Sequence, residues 1–300
     1  MRAGTLQVNG GSVETGWWGP GPDEVPTLVL LHEGLGSVAL WRDVPERLAA
    51  VTGWGVFAYS RFGYGNSDTT PLPRPMTYMH HEAQAVLPEV LGAAGIQRAV
   101  LIGHSDGGSI AAIYAGTSGL SSTGISDPPE HTSCQEVSHP SGHTPRPRGS
   151  DHTCGPKAIS LLGLVTIAAH FFVEDLNIAS IRQIGVTYDT GDLRQRLARY
   201  HRDVEVAFRG WNGAWLDPRF RDFNITGFLR AIQVPILALQ GADDPYGTDE
   251  QLTIFAANVR VPIQTRLIPC AKHSPHLEAK DATLATICSF IADLQRGFLT

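Results

Sequence analysis

Short apolar runs alternate along this chain with longer stretches in which apolar residues recur every third or fourth position. The short runs predict strands at Thr5–Val8, Thr27–Leu31, Gly55–Tyr59, Ala99–Ile102, Gly163–Ala168, Pro235–Gln240 and Thr265–Ile268. Between them, Leu40–Thr52 and Tyr78–Ala94 carry helical patterns. Leu284, Ile287, Ile291 and Leu294 give Ala282–Gln295 the spacing of a closing amphipathic helix. Asn9-Gly10-Gly11 is a hairpin turn signal, so the sheet is expected to begin with an antiparallel pair. Strand and helix in alternation predict an α/β fold, a mostly parallel twisted sheet with helices on both faces.

Two segments break this rhythm. From about Thr117 to Lys157 the chain is rich in Ser, Thr, Pro, Gly and His. Such a segment buries too little apolar area to offset its ordering entropy, so a disordered or loosely draped insert is expected there. From His170 to about Leu229 the chain is helical in pattern, over Asp192–Ala207 for example. It also carries the bulky anchors Phe208, Trp211, Trp215, Phe220 and Phe223. This predicts a compact helical cap at 170–229 over a core formed by 1–169 and 230–300.

Composition narrows the function. With 42% hydrophobic residues in 300, the chain can bury a sizeable core. A net charge of −6 offers no basic surface for nucleic acid. No apolar run is long enough to span a bilayer. Met1–Gly11 lacks the hydrophobic stretch of a secretory signal, so a cytoplasmic location is expected. Four cysteines in a chain this long do not suggest a disulfide scaffold. His131, Cys134, His139, His143, His152 and Cys154 fall in the insert in no metal-binding spacing, and no metal or other cofactor is expected.

The chemistry is announced by Gly103-His104-Ser105-Asp106-Gly107, set between an apolar strand and a stretch, Gly108–Ala115, that can be helical. Strand, G-x-S-x-G, helix is the context of a nucleophile elbow, which holds a serine hydroxyl exposed at the strand's carboxyl end. A serine needs a base, an orienting acid and donors for the developing oxyanion. Gly241-Ala242-Asp243-Asp244-Pro245, after a late strand, offers two carboxylates. His273-Ser274-Pro275-His276, after the next strand, offers two imidazoles. The glycine-rich His32-Glu33-Gly34-Leu35-Gly36-Ser37 can present one backbone N–H, and Asp106 the other.

With those segments and Ser60-Arg61-Phe62-Gly63-Tyr64-Gly65-Asn66-Ser67, the chain resembles α/β-hydrolase-fold serine hydrolases of the esterase and lactonase type with a helical cap. The resemblance covers the chain apart from the insert. It implies Ser105 as nucleophile, Asp244 rather than Asp243 as acid, and His273 rather than His276 as base. It also implies Gly34, or alternatively Leu35, as the donor beside Asp106. Two positions depart from the usual pattern: Glu33 replaces a glycine, and Arg61 stands where an aspartate is common. His32 is read as structural, holding its loop through a backbone hydrogen bond. Glu33, Leu35, Trp211 and Trp215 are expected to contact a small-molecule substrate. Asp106 has two readings, a carboxylate suited to a helix start or a partner for a substrate amine. The expected activity is hydrolysis of a small or medium ester, lactone or related acyl bond. Carbon–carbon bond hydrolysis, cofactor-free perhydrolysis and a receptor role are the alternatives on the same frame. Oligomeric state is not legible.

Overall fold

The computed structural model describes residues 1–123 and 159–297. Among these, one sheet of eight strands organises the chain. Its strands are β1 (Arg2–Val8), β2 (Gly11–Trp18), β3 (Thr27–Leu31), β4 (Gly55–Tyr59), β5 (Arg98–His104), β6 (Ser160–Ile167), β7 (Ile236–Gly241) and β8 (Ile263–Ile268). The spatial order is β1-β2-β4-β3-β5-β6-β7-β8. β1 pairs antiparallel with β2, and β2 with β4; every other pair is parallel. The opening hairpin turns at Asn9 and Gly10, both at positive φ (51° and 75°), as a two-residue turn matched to strand twist requires.

Alternation along the strands builds two cores. Leu28, Leu30, Val100, Ile102, Val165 and Leu237 pack on one face, with α1 (Val44–Thr52) and α11 (Lys280–Gly297). Val29, Leu31, Ala99, Leu101, Leu164 and Ala238 pack on the other. There they meet α2 (Tyr78–His81), a π-helical turn leading into α3 (Leu87–Ala93), and α4 (Asp106–Thr123). The central strands are therefore apolar on both sides and read as continuous runs. In α11, Leu284, Ile287, Ile291 and Leu294 are buried, and each such side chain contributes about 1.5–3 kcal/mol.

Between β6 and β7 lie α5 (Asp175–Thr190), α6 (Leu193–Leu197), α7 (Val204–Leu216) and α8 (Thr226–Leu229). After β7 come α9 (Glu250–Asn258) and, past β8, α10 (Pro275–Glu278). The continuous helix expected over Asp192–Ala207 is broken. At the break His201 bonds to Gly65 and Leu35, Arg202 N–H donates to Gly65 O, and the Asp203 side chain caps α7 at Val206 N–H. Tertiary partners thus outcompete local helix there. The elbow helix runs beyond Ala115 to Thr123, so the first residues assigned to the insert are helical. Thr117 and Ser118 fold their hydroxyls back onto carbonyls one turn earlier. The rest of the proposed insert, with its histidines and two cysteines, lies outside the described residues. No described helix is long and apolar enough to cross a membrane.

Candidate active site

β5 ends in a sharp turn at Ser105, whose φ of 52° is left-handed, an uncommon conformation for a residue with a Cβ. The turn closes because its flanks are glycines. A Cβ on Gly103 would sit 2.2 Å from Gly107 O, and one on Gly107 would sit 2.0 Å from Leu31 O. Ser105 N–H donates to Ile167 O (2.8 Å), tying the turn to β6. Asp106 opens α4, so its N–H has no carbonyl of its own helix to meet.

The loops after β7 and β8 are joined by Asp243 N–H donating to Ala271 O (2.9 Å). They carry Asp244 and His273 to the serine. His273 Nε2 lies 2.9 Å from Ser105 Oγ, and His273 Nδ1 lies 3.0 and 2.9 Å from the two Asp244 oxygens. Asp244 also accepts from Gln240 Nε2 (2.6 Å) and Tyr246 N–H (2.8 Å). Burial pushes its carboxyl pKa up, but the His273 bond and charge and the Tyr246 N–H pull it down further. The net position is below the ordinary aspartate value. Asp243 is exposed. His276 is buried against Trp41 and His104, and the same burial pushes its pKa well down. Of the two acids and two imidazoles, the structure thus brings Asp244 and His273 to Ser105. Three rings surround His273: Tyr246 at 4.7 Å, His104 at 5.2 Å and His170 at 5.7 Å between centroids. His170 is held neutral, its pKa lowered to about 3 by burial and by the neighbouring His273.

The loop after β3, the strand beside β5 in the sheet, meets α7. The Trp211 indole lies against Gly34, where a Cβ would be 2.1 Å from Nε1. Leu35 is half-buried, and its carbonyl accepts from His201 Nε2 (2.9 Å). The Glu33 carboxylate faces His104 Nδ1 at 3.4 Å, while His104 Nε2 donates to the carbonyl of His273 (2.8 Å). Burial raises the Glu33 pKa, but the bond and charge of His104 outweigh it and hold the group well below the usual range. His32 occupies the structural place read for it, with Nδ1 2.7 Å from Glu33 O.

Asp106 is fully buried, with both carboxylate oxygens occupied. Tyr78 OH donates to Oδ2 (2.5 Å), and Trp215 Nε1 reaches Oδ1 (3.3 Å) and Tyr78 OH (3.1 Å). Burial raises its pKa despite the positive charges of Arg61 and Arg74. These contacts leave the side chain enclosed rather than open to a substrate amine. Trp215 is equally enclosed at 1% exposure, so Trp211 is the ring of α7 that reaches the loop after β3.

The model of the alpha/beta hydrolase family matches residues 28–286 of this chain. The chain belongs to the alpha/beta hydrolase family. No curated protein matches it significantly. Among solved structures, this hydrolase is similar to carboxylesterase structures from the thaumarchaeon Nitrososphaera gargenis, at 16% identity over 98% of this chain and 100% of the other, with a TM-score of 0.67. It is similar to a thermophilic esterase from Thermogutta terrifontis at 16% identity, over 98% and 99% of the chains, with a TM-score of 0.64. It is also similar to an enol-lactonase from Burkholderia xenovorans LB400 at 17% identity, over 96% and 100%, with a TM-score of 0.63. At these identities the likeness is one of fold.

Several polar neighbours of the hydrolase site escaped the sequence reading. Gln240 and Tyr246 flank Asp244, and His104 lies inside the serine motif, so proximity along the chain was an available signal for them. Tyr78, His170 and the engagement of Arg61 by the loop after β3 depend on strand order, which no local pattern encodes.

Proposed function

We propose that the protein is a serine hydrolase that cleaves a small or medium carboxylic ester, lactone or related acyl bond through an acyl-enzyme. The observation that carries this reading is the unbroken hydrogen-bond series Ser105–His273–Asp244 at the carboxyl edge of the sheet. In it, Ser105 Oγ attacks the carbonyl carbon as His273 Nε2 takes its proton. Asp244, anionic and fixed by three donors, holds Nδ1–H and stabilises the imidazolium. The N–H groups of Gly34 and Asp106 receive the oxyanion. His273 then protonates the leaving alcohol, and water activated by the same imidazole releases the acid and restores Ser105. Helices α5–α8 act as the cap, with Trp211 and Leu35 shaping the pocket beside Gly34.

Esterases and an enol-lactonase stand among the structural neighbours, which supports the substrate class without naming a substrate. The test is hydrolysis of a series of aryl esters of increasing acyl length by the wild-type and Ser105→Ala proteins. Turnover confined to the wild type is expected. Equal turnover by Ser105→Ala would remove the mechanism.

A further inference from the structure

Arg61 lies two residues past the end of β4, in the loop that leads to Gly63 and Gly65. It is buried at 3% exposure, yet it forms no ion pair with a carboxylate among the described residues. Instead its hydrogen bonds go to the loop after β3. Its backbone N–H donates to His32 Nε2 (3.0 Å), Nη1 donates to His32 O, and Nη2 donates to Glu33 O (3.0 Å). Because His32 Nε2 accepts, Nδ1 carries the hydrogen and donates to Glu33 O (2.7 Å). Burial and the adjacent Arg61 keep this imidazole neutral, in agreement with that tautomer. Gly36 N–H adds a third donor to the same carbonyl (3.1 Å).

Three donors on one carbonyl fix the plane of the peptide that follows. In a trans peptide the C=O and the N–H point in opposite directions. Pinning Glu33 O therefore aims the N–H of Gly34 away from Arg61. On the far side of Gly34, Trp211 leaves no room for a Cβ, and His201 holds the carbonyl of Leu35. The loop is clamped at each end of the segment that the proposed function uses. The guanidinium also places a full positive charge behind that peptide in a buried setting, where charges act more strongly than in water.

We infer that Arg61 is the positioning residue of the oxyanion hole, fixing and polarising the Glu33–Gly34 peptide so that Gly34 N–H meets the oxyanion. This rests on the serine-hydrolase reading above. A residue that acts on the oxyanion affects the tetrahedral state and leaves binding of the trigonal substrate nearly untouched.

The experiment compares wild-type, Arg61→Gln and Arg61→Lys proteins on one aryl ester. It also measures their affinity for a trifluoromethyl ketone and for the methyl ketone of the same chain. Addition of Ser105 Oγ to the fluorinated carbonyl forms a C–O bond, converts the carbonyl to an alkoxide and sends the serine proton to His273. The methyl ketone stays trigonal. For Arg61→Gln, kcat is expected to fall about 10–100-fold, below the 10²–10³ that losing a whole donor costs. KM stays within about twofold, and affinity for the fluorinated ketone falls in proportion to kcat/KM. Methyl ketone affinity holds, and Arg61→Lys, which keeps the charge but not the fork, falls between. A folded Arg61→Gln with wild-type kcat would overturn the inference, as would equal losses for both ketones. Should Arg61→Gln not fold, the wild-type protein decides. The Gly34 amide proton moves downfield in the fluorinated adduct, and a shift at Leu35 with Gly34 unmoved would overturn the inference. Ser105→Ala, measured alongside, separates this from the reading beneath it: hydrolysis surviving there refutes the serine mechanism itself.

Discussion

Two carboxylates, one bonded to the imidazole that meets Ser105 and one on the residue after it, are treated in opposite ways. Asp244 accepts from an imidazole, an amide side chain and a backbone N–H, and its pKa lies below the ordinary value. Asp106, one residue from the serine, accepts from a phenol and an indole inside a buried layer that also holds Glu82 on Tyr59, and both carboxyls are shifted upward by burial. Donors decide the difference. Where a negative charge must remain to hold an imidazolium, the fold supplies partners that favour the anion. Where the carboxyl serves to join α4, α2 and α7, the fold accepts the desolvation and offsets it with Arg61 and Arg74, the latter stacked 4.6 Å from the Tyr64 ring and 5.6 Å from that of Tyr78. In the proposed mechanism Asp244 serves the chemistry, while the Asp106 side chain joins α4 to α2 and α7.

The largest effects should fall on the Asp244 side. Ser105→Ala is expected to lose about 10⁶ in kcat. Asp244→Asn is expected to lose about 10⁴, because the imidazole would take the wrong tautomer. Steady-state kinetics on an aryl ester measures both, and an Asp106→Asn loss as large as that of Asp244→Asn would break the comparison. Next, Gly34→Ala should lower kcat by about 10²–10³, since its Cβ overlaps Trp211 Nε1 and displaces either α7 or the loop. Full activity in that variant would show that Gly34 N–H is not the donor.

A smaller effect carries a sign. Asp244 has a depressed folded pKa, so its contribution to stability is present above the unfolded value and is lost as pH falls through the folded one. Asp106 has a raised folded pKa, so its contribution is present below the unfolded value and is lost as pH rises through the folded one. Urea unfolding of both Asn variants should be compared near neutrality and below the ordinary aspartate pKa of about 3.9. Asp244→Asn should cost more near neutrality, and Asp106→Asn more in acid. The same trend in both would contradict the contrast. Smallest, Trp215→Phe removes one indole N–H from the Asp106 cluster and should cost about 1 kcal/mol of stability, read by the same unfolding.

Legibility in the sequence followed the range of the interactions. β3 and β4 are found at the residues their apolar runs mark, because strands buried on both faces need no partner information to be seen. Ser105, Asp244 and His273, which the structure brings together, are legible as candidates because each follows a strand in a short, chemically marked loop. The Asp192–Ala207 helix was misread because His201, Arg202 and Asp203 find partners in the loops around Gly65 and Leu35 that no helical pattern records. The helix α9 is not marked in the sequence because its apolar spacing is weak, and the bounds of α5 are not marked because its start is set by the reciprocal Glu174–Asn177 cap. The bonds of Arg61 to His32 and Glu33 depend on β3 and β4 lying side by side, which no local pattern marks.

The central claim is that Ser105 is a nucleophile activated by His273. Reaction with a fluorophosphonate, followed by intact mass and peptide mapping, tests it most directly. A single adduct on the peptide that contains Ser105, lost in Ser105→Ala and strongly slowed in Asp244→Asn, is the predicted result. An adduct on another residue, or ester hydrolysis that continues with Ser105 unlabelled, would contradict it.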